Sequence, residues 1–106
     1  MNMQKLMKEA QKAQRKMAEA QERLAELSVE GSAGGGLVVA TANGEGTITN
    51  ITIDKSTVDP EEVELLEDLV MAAVNEVQRK SKELQEQELG SAMGGLGGLG
   101  GLGNLF

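Results

Sequence analysis

Apolar side chains recur at alternating spacings of three and four near the start of the chain. The run begins at Met3, ends at Leu27 and has no break in between. Its members are Met3, Leu6, Ala10, Ala13, Met17, Ala20, Leu24 and Leu27. This spacing is typical of a helix whose apolar stripe packs against another helix. We therefore predict a long first helix over residues 3–27, with alanines that allow its partner to come close.

The pattern changes to that of strands over residues 29–53. Three stretches, VEGSA, LVVATAN and GTITNITID, are rich in β-branched residues and are flanked by glycines. Asn43 and Gly44, followed by Gly46, tolerate the positive φ that a hairpin turn needs, and residues 34–36 can form the preceding reversal. The pattern predicts a short three-stranded antiparallel sheet. We attribute its glycines to tight turns and to close packing between strands.

A second helix is predicted after the segment Asp59-Pro60-Glu61-Glu62. Asp59 is a suitable N-cap, Pro60 fits the first helical position, and Glu62 can reach back to the cap. The apolar stripe of this helix consists of Val63, Leu66, Leu69, Val70, Ala73, Val74, Val77 and Leu84. The stripe becomes sparse after Val77, so we expect less burial there. The order of elements predicts an α+β fold of the form α-β-β-β-α.

The last segment of the chain repeats Gly-Gly-Leu. Glycine at this density resists ordering by itself, because its backbone loses much entropy when it is fixed. The repeat contains no proline, so a collagen-like helix is excluded. We divide the chain into an α+β domain at residues 1–89 and a flexible Gly/Leu-rich tail at residues 90–106. The regularly spaced leucines leave open a weak docking of this tail onto a partner.

Composition excludes several kinds of site chemistry. The chain has no Cys and no His, so disulfides, the common nucleophile–base pairs, and zinc or haem sites built on these residues cannot form. The glycines of residues 31–36 precede a strand rather than a lysine and a helix, which argues against a phosphate-binding loop. Carboxylates at residues 61–68 could hold magnesium, but a solvated acidic surface is the simpler interpretation. We expect no enzyme activity, cofactor, metal or small-molecule substrate.

The N-terminal residues carry charges throughout, unlike the apolar stretch of a signal peptide. The longest apolar runs also fall far short of the ~20 residues that span a bilayer. We therefore expect a soluble, cytoplasmic protein without membrane contact.

The net charge of −7 conceals a segregation of charge along the chain. Residues 1–16 contain five basic and one acidic side chain, residues 17–78 contain two basic and thirteen acidic ones, and residues 79–82 add three basic ones. The first helix leads into the sheet and the second leads out of it, so both basic groups should lie far from the sheet. Both helices rise ~1.5 Å per residue, so the two basic groups should lie at similar distances from the sheet. We therefore predict that side-by-side packing of the helices brings the two groups together in one positive tip.

A helix as long as the first one must project from a domain of this size. Two projecting helices and a three-stranded sheet offer little core to a single chain. We therefore expect a symmetric homodimer.

Three stretches of the chain carry a family resemblance: MQKLMKEAQKAQRKM, VEGSAGGGLVVATANGEG and IDKSTVDPEEVELLEDLVMAAVNEVQRKSKE. With their order along residues 3–96, they resemble the YbaB/EbfC family of bacterial nucleoid-associated proteins. The resemblance implies a tweezer-like homodimer that binds double-stranded DNA in the nucleoid with its projecting helices. The residues that it suggests for DNA contact are Lys5, Lys8, Lys12, Arg15, Lys16, Arg79, Lys80 and Lys82.

The function implied by this resemblance is organisation of the chromosome or an influence on gene expression. Basic side chains would neutralise phosphates and read little sequence. Two features depart from the family pattern: the Gly-Gly-Leu tail is longer than usual, and Glu83, Glu86 and Glu88 dilute the positive charge of the second helix. The alternative function is an adaptor whose helical arms clasp another protein without contacting DNA, as the heptad stripe and the leucines of the tail would allow.

Overall fold

A computed structural model of the chain describes residues 2–94. It confirms the predicted α+β order, with β2 in the middle of a three-stranded antiparallel sheet. The elements are α1 (Met3–Glu26), β1 (Ser28–Ala33), β2 (Val38–Asn43), β3 (Ile48–Ile53), a single 3₁₀ turn (Lys55–Thr57) and α2 (Val63–Gly94). Residues 95–106, which form most of the predicted flexible tail, lie outside the described residues. The division at residue 89 therefore stays a prediction.

The first helix agrees with its predicted bounds to within one residue. Asn2 caps its start, since the Oδ1 atom of Asn2 accepts a hydrogen bond from the N–H of Gln4 at 3.0 Å. Leu27 ends the helix with extended backbone, and β1 begins at the next residue. The chain thus enters the sheet without a loop, which fixes α1 to one end of β1.

The second helix begins later than predicted. Asp59 does accept a hydrogen bond from the N–H of Glu61 at 2.9 Å, and its carbonyl accepts one from Glu62 at 2.9 Å. These bonds close a separate turn, however, and the helix itself starts at Val63. Asp59 is therefore the first residue of that turn, and it lies four positions before Val63, too far to act as the N-cap of α2.

The core forms where α2 lies across one face of the sheet. Buried side chains of β2 meet buried side chains of the helix, and the set consists of Val38, Ala40, Ala42, Ala73 and Val77. Burial also continues past Val77, contrary to expectation, because Ser81 is fully buried and Ala92 is nearly so. Ser81 packs on the turn between β2 and β3, and small side chains such as Ser81 and Ala92 are buried without an apolar stripe that the sequence could reveal.

Two glycines explain how closely the helices approach the sheet. A Cβ atom on Gly31 would lie 2.6 Å from the carbonyl oxygen of Ala73, and one on Gly44 would lie 2.6 Å from that of Leu24. Gly31 thus permits close packing of α2, and not of a strand as we had expected. Residues 34–36 do form the predicted reversal, since all three glycines have positive φ.

The buried hydroxyl of Ser81 offers a test of the contact between α2 and the sheet. Its Oγ lies 3.1 Å from the carbonyl oxygen of Asn43 and 3.2 Å from that of Gly44. We expect Ser81→Ala to lower the free energy of unfolding by about 1 kcal/mol, because these buried carbonyls lose a donor. Urea unfolding followed by circular dichroism measures this change. Ser91→Ala is the matched control, since Ser91 is exposed on the same helix; equal stabilities of the two variants would contradict the prediction.

Candidate nucleic-acid interface

The molecule is elongated, as the sequence predicts. Its principal extents are 70 × 27 × 16 Å and its radius of gyration is 19.8 Å, whereas a compact chain of about 100 residues has a radius near 13 Å. The excess length arises because α1 leaves the sheet at Leu27 and continues away from it. The first part of α1 is therefore placed where a large ligand such as a duplex could reach it.

Gly44 sets the relative height of the two helices. Its N–H donates to the carbonyl oxygen of Leu24 at 2.7 Å, and its own carbonyl oxygen accepts from the Oγ of Ser81 at 3.2 Å. Leu24 and Ser81 therefore lie at one level, beside the turn between β2 and β3. From this level α1 extends ~32 Å back to Met3, whereas α2 extends only ~20 Å forward to Gly94.

The predicted single positive tip does not form in this arrangement. Lys12 and Lys5 lie ~18 Å and ~29 Å beyond the level of Ser81, whereas Arg79 and its basic neighbours lie within ~3 Å of it. The prediction placed the start of α2 beside the end of α1. In the structure, Leu69 of α2 lies beside Gly34, at the opposite end of the sheet. The first part of α2 therefore lies across the sheet, and the basic residues of α2 lie at the edge of the sheet.

The basic residues of α2 are engaged by neighbouring groups. Arg79 forms an ion pair with Glu83 at 2.7 Å. Lys80 pairs with Glu76 at 3.1 Å and donates to the carbonyl oxygen of Glu30 at 2.8 Å. Lys82 is exposed. Two of the three residues thus already have partners that a phosphate would have to replace.

The basic residues of α1 have a different setting. Lys5, Lys8, Lys12 and Arg15 are exposed, and Lys16 is half-buried. Within residues 2–94, none of these five takes part in an ion pair. We call residues 3–16 the arm. The five cations lie on one projecting segment; four of them lie away from the stripe that packs against α2, and Lys16 flanks the stripe beside Met17.

The charge on the outer face of α1 changes from positive to negative along the helix. The heptad positions that carry Lys5, Lys8, Lys12 and Arg15 on the arm carry acidic residues nearer the sheet, namely Glu19, Glu22 and Glu26. Between Glu22 and Glu26, Arg23 pairs with Glu88 of α2 at 3.0 Å. On this face of α1 the positive charges are therefore confined to the arm, and a polyanion that moves along the face towards the sheet meets carboxylates.

The far end of the sheet is acidic. An open depression there is lined by Pro60, Glu61, Glu62, Val63, Glu64, Leu65 and Asp68. Asp54 lies at the same end, because its N–H donates to the carbonyl oxygen of Leu37 at 2.8 Å. The backbone N–H and the hydroxyl of Ser56 hold the pKa of Asp54 below its usual range. No group of three or more carboxylates in the described part of the chain is arranged to hold a metal ion.

No helix within residues 2–94 combines the length and the hydropathy that a membrane crossing requires.

Comparisons with known proteins identify relatives by sequence and a solved structure with the same fold. A nucleoid-associated protein of Saccharopolyspora erythraea is 48% identical over 93 residues, which are 88% of this chain and 80% of that protein. One from Streptomyces avermitilis is 51% identical over 94 residues, which are 89% of this chain and 83% of that protein. The solved structure of an uncharacterized protein from Helicobacter pylori shares the fold, with a TM-score of 0.73, 22% identity, and coverage of 82% of this chain and 91% of that one.

The family is shown by a match that extends over all of the described residues. The sequence model of the YbaB/EbfC DNA-binding family matches residues 1–96. This match confirms the resemblance drawn from the three sequence stretches. The chain belongs to the YbaB/EbfC DNA-binding family.

Proposed function

We propose that this protein is a nucleoid-associated protein that binds double-stranded DNA through the arm of α1 and acts in the cytoplasm, at the nucleoid. The observation that carries the proposal is the projection of five cations beyond the sheet, none of them in an ion pair within residues 2–94 and four of them on a face that turns acidic towards the sheet. Membership of a DNA-binding family and the names of the relatives support it. The protein needs no catalytic group, cofactor or small-molecule substrate for this role.

The chemistry of binding is neutralisation of phosphates. Lysine and arginine side chains displace the counterions condensed on the duplex, which gives affinity with little dependence on sequence. On α1, residues three or four apart stand about 5–6 Å from one another, so Lys5, Lys8 and Lys12 form a continuous row. The chain lacks Trp and Tyr and has a single Phe, so a stacking platform for single-stranded DNA is not expected.

The basic residues of α2 make a smaller contribution. Arg79 and Lys80 are held by Glu83 and Glu76 at the level of the sheet, so they would have to exchange one partner for another. Lys82 is exposed, but it precedes Glu83 and lies ~17 Å from the level of Lys12. We therefore assign DNA contact mainly to Lys5, Lys8, Lys12, Arg15 and Lys16.

The working unit is a homodimer formed through β3. Val38 pairs with Ile53, and Ala40 with Ile51, so these isoleucines share the core face of the sheet. The helix α2 covers β1 and β2 but leaves Ile51 42% and Ile53 38% exposed. Among the described residues, β3 is also an edge strand with a free row of backbone groups. A second copy on this surface would bury the isoleucines and leave both arms projecting.

A charge on the core face of β3 tests the dimer. We expect Ile51→Lys to shift the mass in solution from two chains towards one, because the interface would have to bury an unpaired ammonium group. Size-exclusion chromatography with light scattering measures this mass. The matched control is Thr52→Lys, which places the same charge on the opposite, polar face. The proposed surface would be wrong if Thr52→Lys separated the chains and Ile51→Lys did not.

Salt dependence separates DNA binding from the adaptor alternative. We expect a dye-labelled duplex to bind saturably, with log affinity falling against log salt at a slope near −0.9 for each phosphate neutralised. Fluorescence polarisation at several salt concentrations measures this slope. An apolar clasp on a protein partner would respond weakly to salt. Absence of binding at low salt by a verified dimer would overturn the DNA function in favour of the adaptor.

A further inference from the structure

The apolar stripe of α1 is longer than the surface that covers it. Ala20 and Leu24 are buried, and Ala13 and Met17 are half-buried. Towards the start of the helix the same stripe is open, with Met3 72% and Leu6 43% exposed, and Ala10 is exposed as well. The change occurs at the level where Gly94 ends the described part of α2, ~12 Å short of the level of Met3.

The rest of the chain starts where this open stripe begins. Residues 95–106 follow Gly94, and their leucines are spaced by three residues: Leu96, Leu99, Leu102 and Leu105, with Phe106 last. Twelve residues reach ~18 Å as a helix and up to ~40 Å when extended, which exceeds the ~12 Å required. The segment contains no charged residue, so its burial on an apolar stripe leaves no ion without a partner.

We propose that residues 95–106 dock on the stripe formed by Met3, Leu6 and Ala10 of the same chain. The segment continues the role of α2 and supplies the apolar partner that α1 lacks at its free end. A second protein would have to compete with a segment that is tethered beside its site at a high effective concentration. The cations of the arm stay accessible, because they lie on a different face from the stripe.

The glycine-rich sequence of the tail makes this docking weak. Each Gly-Gly-Leu unit gains the burial of one leucine side chain and loses the backbone entropy of three residues, two of which are glycines. The docked state therefore exchanges with an undocked one, and single leucine changes should shift the balance.

Disulfide trapping tests the proposal directly, because the natural chain has no cysteine. The full-length double variant Leu6→Cys with Leu102→Cys places one thiol on the stripe and one on the tail. Under mild oxidation without DNA, we expect a cross-link within one chain, formed at least tenfold faster than in the control Lys8→Cys with Leu102→Cys. Non-reducing electrophoresis and mass spectrometry of peptides identify the product. Equal rates in the two variants, or a product that joins two chains, would overturn docking within the chain.

Hydrogen exchange gives a second, independent readout. In the full-length variant Leu99→Ser with Leu102→Ser, amides in residues 7–14 should exchange several-fold faster than in the natural chain, because the end of α1 loses its cover. The matched control Gly98→Ser with Gly101→Ser adds the same hydroxyls and keeps the leucines. Unchanged exchange in the leucine variant would refute the docking. Neither experiment uses DNA, so its outcome is separate from that of the proposed function.

Discussion

Replacing Lys8 and Lys12 by glutamate should reduce affinity for duplex DNA by about 100-fold or more at physiological salt. Both side chains are exposed on the arm, and each substitution removes a cation and adds a repelling anion. The slope of log affinity against log salt should also become less steep, by about 1 for each lysine on each arm that contacts the duplex. Polarisation titrations of one labelled duplex at several salt concentrations measure both quantities.

Two controls make this result specific to the arm. Lys55→Glu, on the exposed 3₁₀ turn, changes the net charge as much as Lys8→Glu does, but the residue is remote from the arm. Lys82→Glu tests the share of α2 and should weaken binding less than Lys8→Glu. If Lys55→Glu were as damaging as Lys8→Glu, binding would depend on net charge and not on the arm. If Lys82→Glu were the most damaging, the assignment of DNA contact to α1 would be wrong.

Gly31→Ala should lower the free energy of unfolding by about 3 kcal/mol, near the upper end of what overpacking costs. The added methyl group would meet the backbone N–H of Val77 and the carbonyl oxygen of Ala73, at 2.6 Å from the latter. Backbone atoms of a helix cannot rotate away as a side chain can, so α2 would have to lift from the sheet. Urea and thermal unfolding followed by circular dichroism, at equal protein concentrations, measure the loss.

Gly90→Ala is the matched control for this substitution. It adds the same methyl group to α2, where no atom lies within 4 Å of the new Cβ. Alanine is the better helix former, so this variant should gain up to about 1 kcal/mol. A Gly31→Ala protein as stable as the natural one would show that the helix can retreat from the sheet at no cost, and the account of the core would need revision.

The elements could be predicted from the sequence, since each has its own periodicity. Alternating spacings of three and four identified α1, and β-branched stretches between glycines identified the strands. The start of α2 was predicted less well, because Asp59 has the chemistry of a cap and here closes a turn before the helix. Local chemistry thus indicated that a helix follows Asp59, but not that a turn over residues 59–62 comes before it.

The candidate site was harder to predict, because its geometry depends on contacts between distant parts of the chain. The sequence showed which residues are basic, but not that α2 starts at the far end of the sheet. That position follows from the contacts of Gly31, Gly34 and Gly44 with the helices. Gly31 occupies the inward register between Val29 and Ala33, and a glycine at an inward strand position is the one signal that could have indicated a close helix.

If DNA binds to the arm as we propose, the change from positive to negative charge along the outer face of α1 limits how much DNA one arm can occupy. From Lys5 to Lys16 the arm measures ~17 Å, about half of one helical turn of the duplex. The glutamates that follow would repel phosphates, so the contact between an arm and DNA could not continue towards the sheet. Each arm would then leave about half of a turn uncovered, and coverage of a long duplex would be set by the number of copies bound rather than by the length of each contact.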